Sequence, residues 1–167
     1  MTPPPITFFA AGEPKPQPRP RAFVRKFGNQ FQARVYDAST AEGWKSAIAV
    51  AAKDFVPMPP LQGPLRVDIT FYMPRPKGHF RSNGDLKPSA PKWHIGRGDR
   101  DNLDKAVLDA LTDIGVWDDD GQVCAGEISK PYCAPGQIPG AQIVITPLEE
   151  AAPAPRKADT VKQPALF

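Results

Sequence analysis

Short acidic residues are concentrated in one run of the chain, Gly98-Asp99-Arg100-Asp101-Asn102-Leu103-Asp104-Lys105, which continues through Asp109 and Asp113 to Trp117-Asp118-Asp119-Asp120-Gly121-Gln122. Asp99 and Asp101 fall where a helix should begin, so their carboxylates can meet its free N–H groups and the positive end of its dipole. Lys105 stands one turn beyond Asp101 on the same face. A second acidic cluster, Asp118, Asp119 and Asp120, follows the helix. Carboxylates gathered from two segments, with a lysine beside them, are the donor set of a hard cation such as Mg2+. Each acid also has an ordinary reading. An aspartate before a helix caps it, and an Asp-Asp-Asp run makes a solvated turn. Spacing alone leaves both readings open, although Asp99-Arg100-Asp101-Asn102 holds more short polar residues than one cap requires.

The helix that must position these groups is legible. Leu103, Ala106, Val107, Ala110 and Leu111 recur at three- and four-residue steps, the apolar stripe of an amphipathic helix, and Gly115 ends it. The full pattern is Asp99-x-Asp101-Asn102-Leu103-x-Lys105-Ala106, then Asp109-Ala110-Leu111-Thr112, then Trp117-x-Asp119-Asp120-x-Gln122-Val123. It resembles the RusA family of Holliday-junction resolvases, Mg2+-dependent endodeoxyribonucleases of bacteria and their phages. The resemblance is strongest across this run and extends more loosely from the first strand to about Pro147. Carried over position by position, it implies that Asp99, Asp101 and Asp120 are catalytic and hold Mg2+, with Mn2+ as an alternative ion. It also implies that Lys105 is the active-site lysine. The segment Arg75–Arg97 is longer than in the shortest members.

The remaining elements follow in order. Ile6–Ala10 reads as a first strand, and Phe23–Phe27 and Phe31–Tyr36 as a hairpin around Gly28-Asn29. Ser39 or Thr40 caps a helix to about Phe55, with Trp44, Ala47, Ile48, Ala51 and Phe55 as its apolar face. Leu65–Met73 alternates as a half-buried strand, with Arg66 and Asp68 toward solvent. Val123–Lys130 and Ala141–Thr146 read as two closing strands around a turn at Pro135–Gly140. The order predicts an α+β domain over residues 1–148, a mixed β-sheet with two main helices packed against it.

Two segments are candidates for gripping phosphate. Alternating prolines hold Gly12–Arg21 extended, so that Lys15, Arg19 and Arg21 project from a stiff rod, and Arg25 continues the basic character. RusA-like sequences carry a Pro-and-Arg loop here. The long stretch from Pro74 to Arg97 places Lys77, Arg81, Lys87 and Arg97, with Arg75 and Lys92, against one acid, Asp85, and interleaves Phe80 and Trp93. A basic loop with aromatics beside a catalytic run suits DNA, and a disordered surface loop is the alternative. His79 and His94 lack partners at metal-ligand spacing.

Composition narrows the setting. The net charge is +3 and 41% of residues are hydrophobic, which permits nucleic-acid binding and a modest core. The 22 prolines punctuate elements rather than fill them. Cys124 and Cys133 form neither a disulfide framework nor a zinc pattern, and suit a reducing cytoplasm, bacterial or phage-encoded. No apolar run is long enough for a membrane. Residues 149–167 read as a disordered tail that ends on Gln163-Pro164-Ala165-Leu166-Phe167. That ending resembles the motif with which bacterial replication and repair proteins bind the sliding clamp, through Gln163, Leu166 and Phe167. The expected partners are therefore branched DNA in the form of a four-way junction, a second copy of the chain, since two opposed nicks need two sites, and that clamp. A nuclease acting on forks or flaps and a non-catalytic DNA-binding protein on the same scaffold are the alternatives.

Overall fold

A computed structural model of the chain describes residues 2–18, 21–27, 30–36 and 41–150, with 21–27 and 30–36 described as paired backbone only. The expected turn at Gly28-Asn29, the cap at Ser39 or Thr40, Arg19, and the terminal Gln163, Leu166 and Phe167 lie outside the described residues.

The fold is α+β. Among the described residues, seven strands run β1 Ile6–Ala11, β2 Arg21–Phe27, β3 Gln30–Tyr36, β4 Leu65–Tyr72, β5 Val123–Ala125, β6 Ile128–Ser129 and β7 Gly140–Pro147. Two helices, α1 Glu42–Ala52 and α2 Arg100–Asp113, separate them. The main sheet is mixed. β7 lies antiparallel between β1 and β4, and β4 pairs in parallel with β5 and β6 on its other side. β2 and β3 form their own two-stranded sheet, in register from Arg21–Tyr36 to Phe27–Gln30.

Alternation decides which face of the sheet is covered. Leu65, Val67, Ile69 and Phe71 on β4 are buried, as are Ile143 and Ile145 on β7 and Phe8 and Ala10 on β1. They pack in one core with Trp44, Ile48 and Ala52 of α1 and the expected stripe of α2, Leu103, Ala106, Val107, Ala110 and Leu111. Burying each large side chain contributes about 1.5–3 kcal/mol, and this fixes the face that α2 turns to solvent. α1 is shorter than its sequence pattern. It ends at Ala52 and passes into a 3-10 turn at Lys53–Phe55, so Phe55 leaves the helical face and lies exposed at the margin, stacked on Phe8.

The expected strand Val123–Lys130 is broken in two. Gly126 sits between β5 and β6 at φ 153°, and a Cβ there would overlap the carbonyl of Val67 on β4. Only glycine permits that approach. Asp68 secures the break by accepting from the Glu127 amide at 2.8 Å and from Arg66 Nε at 2.8 Å. The bonded guanidinium holds the Asp68 carboxyl below the usual carboxylate range. Arg66 and Asp68, expected to face solvent, are thus half-buried and tied to each other.

Candidate active site

The C-terminal end of α2 shows why the chain needs Thr112, Gly115 and Trp117. Thr112 Oγ1 donates to the Leu108 carbonyl at 2.8 Å and accepts from the buried Trp117 indole at 2.7 Å. Gly115, at φ 78°, turns the chain out of the helix. Trp117 then bridges to Leu61, and the Leu61 amide donates to the Val116 carbonyl at 2.9 Å. The acidic run that follows is therefore brought back alongside α2 rather than led away, and its 3-10 turn, Asp120–Gln122, packs against the helix.

Within that run the three acids divide their roles. Asp118 accepts from Gln62 Nε2 at 2.8 Å. Asp119 caps the 3-10 turn, its Oδ1 accepting from the Gly121 amide at 2.6 Å. For these two the structural reading of an acidic turn holds. Asp120 enters neither bond and lies near Lys105, whose pKa is raised first by the Asp109 carboxylate bonded to it at 3.1 Å and further by the charge of Asp120. The lysine therefore pairs forward along the helix with Asp109, although its spacing suits Asp101 equally. The charge of Asp120 reaches Lys105 from the neighbouring segment, while the carboxylate bonded to the lysine is that of Asp109 on the helix itself.

The start of α2 departs from the capping expectation. Asp99 occupies the N-cap position and its carbonyl accepts from Leu103 at 3.0 Å, but its carboxylate makes no cap bond. Asp101 lies exposed in the first turn. The Pro-rich segment docks here as well, with the Gln17 amide donating to the Asn102 carbonyl at 2.8 Å. Lys15 lies two residues earlier, paired with Glu13 at 2.7 Å, and Arg19, Arg21 and Arg25 follow in sequence, the last two on β2. Among the described residues no three His, Cys, Asp or Glu side chains stand close enough to share one ion. In kind, the carboxylate oxygens of Asp99, Asp101 and Asp120 are what a hard divalent cation takes. Asp99 and Asp101 lie at the start of α2, with Asp99 unspent on capping, and Asp120 lies in the turn that packs against the helix.

Sequence reasoning gave Gln122 no role, and the structure gives it a large one. Its Oε1 accepts from the amides of Asp118 at 3.0 Å and Asp119 at 3.2 Å, while its Nε2 donates to the carbonyls of Leu61 at 2.9 Å and Gly63 at 3.1 Å. One side chain thus pins the Asp120 turn to the strand entering β4. The signal available was its place in the motif, two residues after Asp120.

The segment between β4 and α2 is an ordered strap rather than a loose loop. Arg75 donates to the carbonyls of Cys133 and Pro91, each at 2.8 Å, and its guanidinium lies over the Tyr132 ring. His79 and His94 meet the same ring edge-on. Lys87, itself exposed, donates to the Gly78 carbonyl at 2.7 Å and so also braces the strap. Lys77, Arg81 and Arg97 are exposed. Lys130 reaches the Gly98 carbonyl at 2.8 Å and fixes the strap's last residues at the start of α2.

The family model described as Endodeoxyribonuclease RusA matches residues 11–146. The chain belongs to the RusA family. It is also 30% identical over 135 residues to a relative described as the uncharacterized protein YqaN of Bacillus subtilis (strain 168), covering 76% of this chain and 87% of that one. RusA-family membership implies a nuclease with a DNA substrate, and such nucleases generally use a divalent metal. The matched span contains the acids, Lys105, Gln122 and the strap. Among the described residues, no helix is long and apolar enough to cross a membrane.

Proposed function

We propose that this RusA-family chain resolves four-way DNA junctions by paired phosphodiester hydrolysis in recombination and repair. The observation that supports the reading is the packing of the Asp120 turn against α2, with the charge of Asp120 acting on Lys105, beside an Asp99 carboxylate that makes no cap bond. Asp99, Asp101 and Asp120 would hold Mg2+, or Mn2+, which when bound supplies Lewis-acid activation of the phosphate and of water. The chain's own groups do the rest. Lys105 offsets the negative charge that builds on the phosphate oxygens as water attacks phosphorus and the bond to the 3′ oxygen breaks. Asp109 keeps that lysine charged and directed. Gln122 holds the Asp120 turn against reorganisation during the step.

A four-way junction is two-fold symmetric and needs two nicks, while one chain carries one such cluster. A homodimer supplies the second. The basic residues Lys15, Arg19, Arg21, Arg25, Lys77, Arg81, Lys87 and Arg97 would contact phosphate, and the terminal Gln163, Leu166 and Phe167 would tether the enzyme to a sliding clamp. The test is incubation with a labelled four-way junction, a fork and a linear duplex, with Mg2+ or EDTA. Paired nicks confined to the junction, lost in EDTA, support the reading. Equal cutting of forks moves the substrate class, and no cutting of any DNA overturns it.

A further inference from the structure

The strap between β4 and α2 presents two large apolar side chains to solvent. Trp93 is 52% exposed and Ile95 is 93% exposed. Of the chain's three tryptophans, Trp44 and Trp117 are buried in the core. The local backbone explains why these two point outward together. His94 donates its amide to Lys130 at 3.0 Å, Tyr132 donates its own to Lys92 at 2.9 Å, and Trp93 bridges to Pro131. Residues 92–94 therefore run extended and antiparallel to residues 130–132. Side chains alternate across such a pair. His94 turns in against the Tyr132 ring at 5.1 Å, so Trp93 and Ile95 turn out.

This presentation is rigid. Arg75, Tyr132 and Lys130 fix the strap on both sides of the pair, so the apolar surface cannot fold back into the core. It is also cationic. Lys92 Nζ stands 4.8 Å from the Trp93 ring centroid, and the exposed Arg97 follows. Finally, it is close to the acids. Ile95 and Asp99 are four residues apart in sequence. At about 3.5 Å per residue their Cα atoms lie within about 14 Å, a reach of about four nucleotides along a strand.

We infer that Trp93 and Ile95 form a stacking platform for an unstacked base at the branch point of the DNA substrate. A duplex shields its base faces, whereas a branch point exposes them, and an indole flanked by a cation accepts any base face. The pair would then select branched over linear DNA and set the distance from branch to cleavage. The inference rests on the nuclease reading for the identity of the partner.

The test uses the full-length chain in EDTA, with a four-way junction, a linear duplex of the same sequence and a single strand, reading affinity and tryptophan fluorescence. The junction should quench the exposed tryptophan and the duplex should not. Trp93→Phe should keep junction affinity and lose the quench. Trp93→Ala should weaken junction binding by about tenfold and leave duplex binding and the circular dichroism spectrum unchanged. Ile95→Ala, which removes a side chain outside the core, serves as a second variant and should also lower the junction-to-duplex ratio. An unchanged ratio in the Trp93→Ala, Ile95→Ala double variant, a quench that survives Trp93→Phe, or equal quenching by duplex would overturn the platform. A parent chain that quenches on junctions but cuts none would overturn the nuclease reading and leave the platform standing. A parent that cuts junctions while the double variant keeps full selectivity would overturn the platform alone.

Discussion

Gln122→Glu is the sharpest probe of the site, because it changes one atom of a side chain that makes four hydrogen bonds. The retained oxygen still accepts from the amides of Asp118 and Asp119. The lost NH2 removes both donations, to Leu61 and Gly63, and sets a carboxylate against two carbonyl oxygens. Ordinary hydrogen bonds contribute about 0.5–1.5 kcal/mol net, and most of these are exposed, so two lost bonds cost about 1–2 kcal/mol. For a domain of this size that lowers Tm by about 2–8 °C. The larger effect falls on rate. Released from Leu61 and Gly63, the turn that carries Asp120 shifts relative to Lys105, and a displacement of about 1 Å at a reacting centre costs about 100-fold. We expect junction-cleavage kcat to fall about 10- to 100-fold while junction Kd, measured in EDTA, stays unchanged. Gln122→Ala should behave similarly with a larger loss of stability. If Gln122→Glu cuts at the parent rate with the turn demonstrably loosened, Asp120 is not held for catalysis and its assignment fails.

Further outcomes follow from the same geometry. Asp99→Asn, Asp101→Asn and Asp120→Asn should each reduce junction cleavage by orders of magnitude while gel-shift affinity persists; parent rates in all three would refute the metal-holding assignment. Asp104→Asn should stabilise the fold at pH 7, because burial raises the Asp104 pKa against the opposing pull of Arg100. The folded state then holds the proton more tightly than the unfolded chain, so parent stability falls as pH rises through that window. The advantage of the variant in urea unfolding should accordingly vanish below about pH 3.9, where both states are protonated. Charge-neutral replacement of Arg19, Arg21, Lys77 and Arg81 together should weaken DNA binding and flatten its salt dependence, each phosphate contact contributing about 0.9 to the slope. An unchanged slope would remove these residues from the interface.

Much of the frame was legible in the sequence because period and burial agree there. The α2 stripe from Leu103 to Leu111 and the β4 alternation from Leu65 to Phe71 are all buried as their spacing requires. What spacing could not show was set by long-range packing. The break at Gly126 depends on the Val67 carbonyl, some sixty positions earlier. Phe55 fits a helical stripe, yet the helix passes into a 3-10 turn before reaching it. The candidate site was legible as a set of residue types, but its division of roles was not. Nothing in Asp118-Asp119-Asp120 says which acid caps, which meets Gln62 and which faces Lys105.

That division bears on how the two readings of an acidic cluster compete. An Asp-rich turn explained wholly by capping leaves no carboxylate over, and one explained wholly by metal binding leaves the turn without its own support. Here both needs are met by different residues. Asp119 and Gln122 close the 3-10 turn reciprocally, Gln62 holds Asp118, and Asp120 takes no part in those bonds, in a turn packed against α2. At the start of α2 the same logic applies, since Lys130 holds the Gly98 carbonyl and Leu103 takes the Asp99 carbonyl, while the Asp99 carboxylate makes no cap bond. Side chains that a fold supports without using are where chemistry is most readily placed. Asp99, at the start of α2, and Asp120, in the turn packed against that helix, both lie within the RusA-matched span.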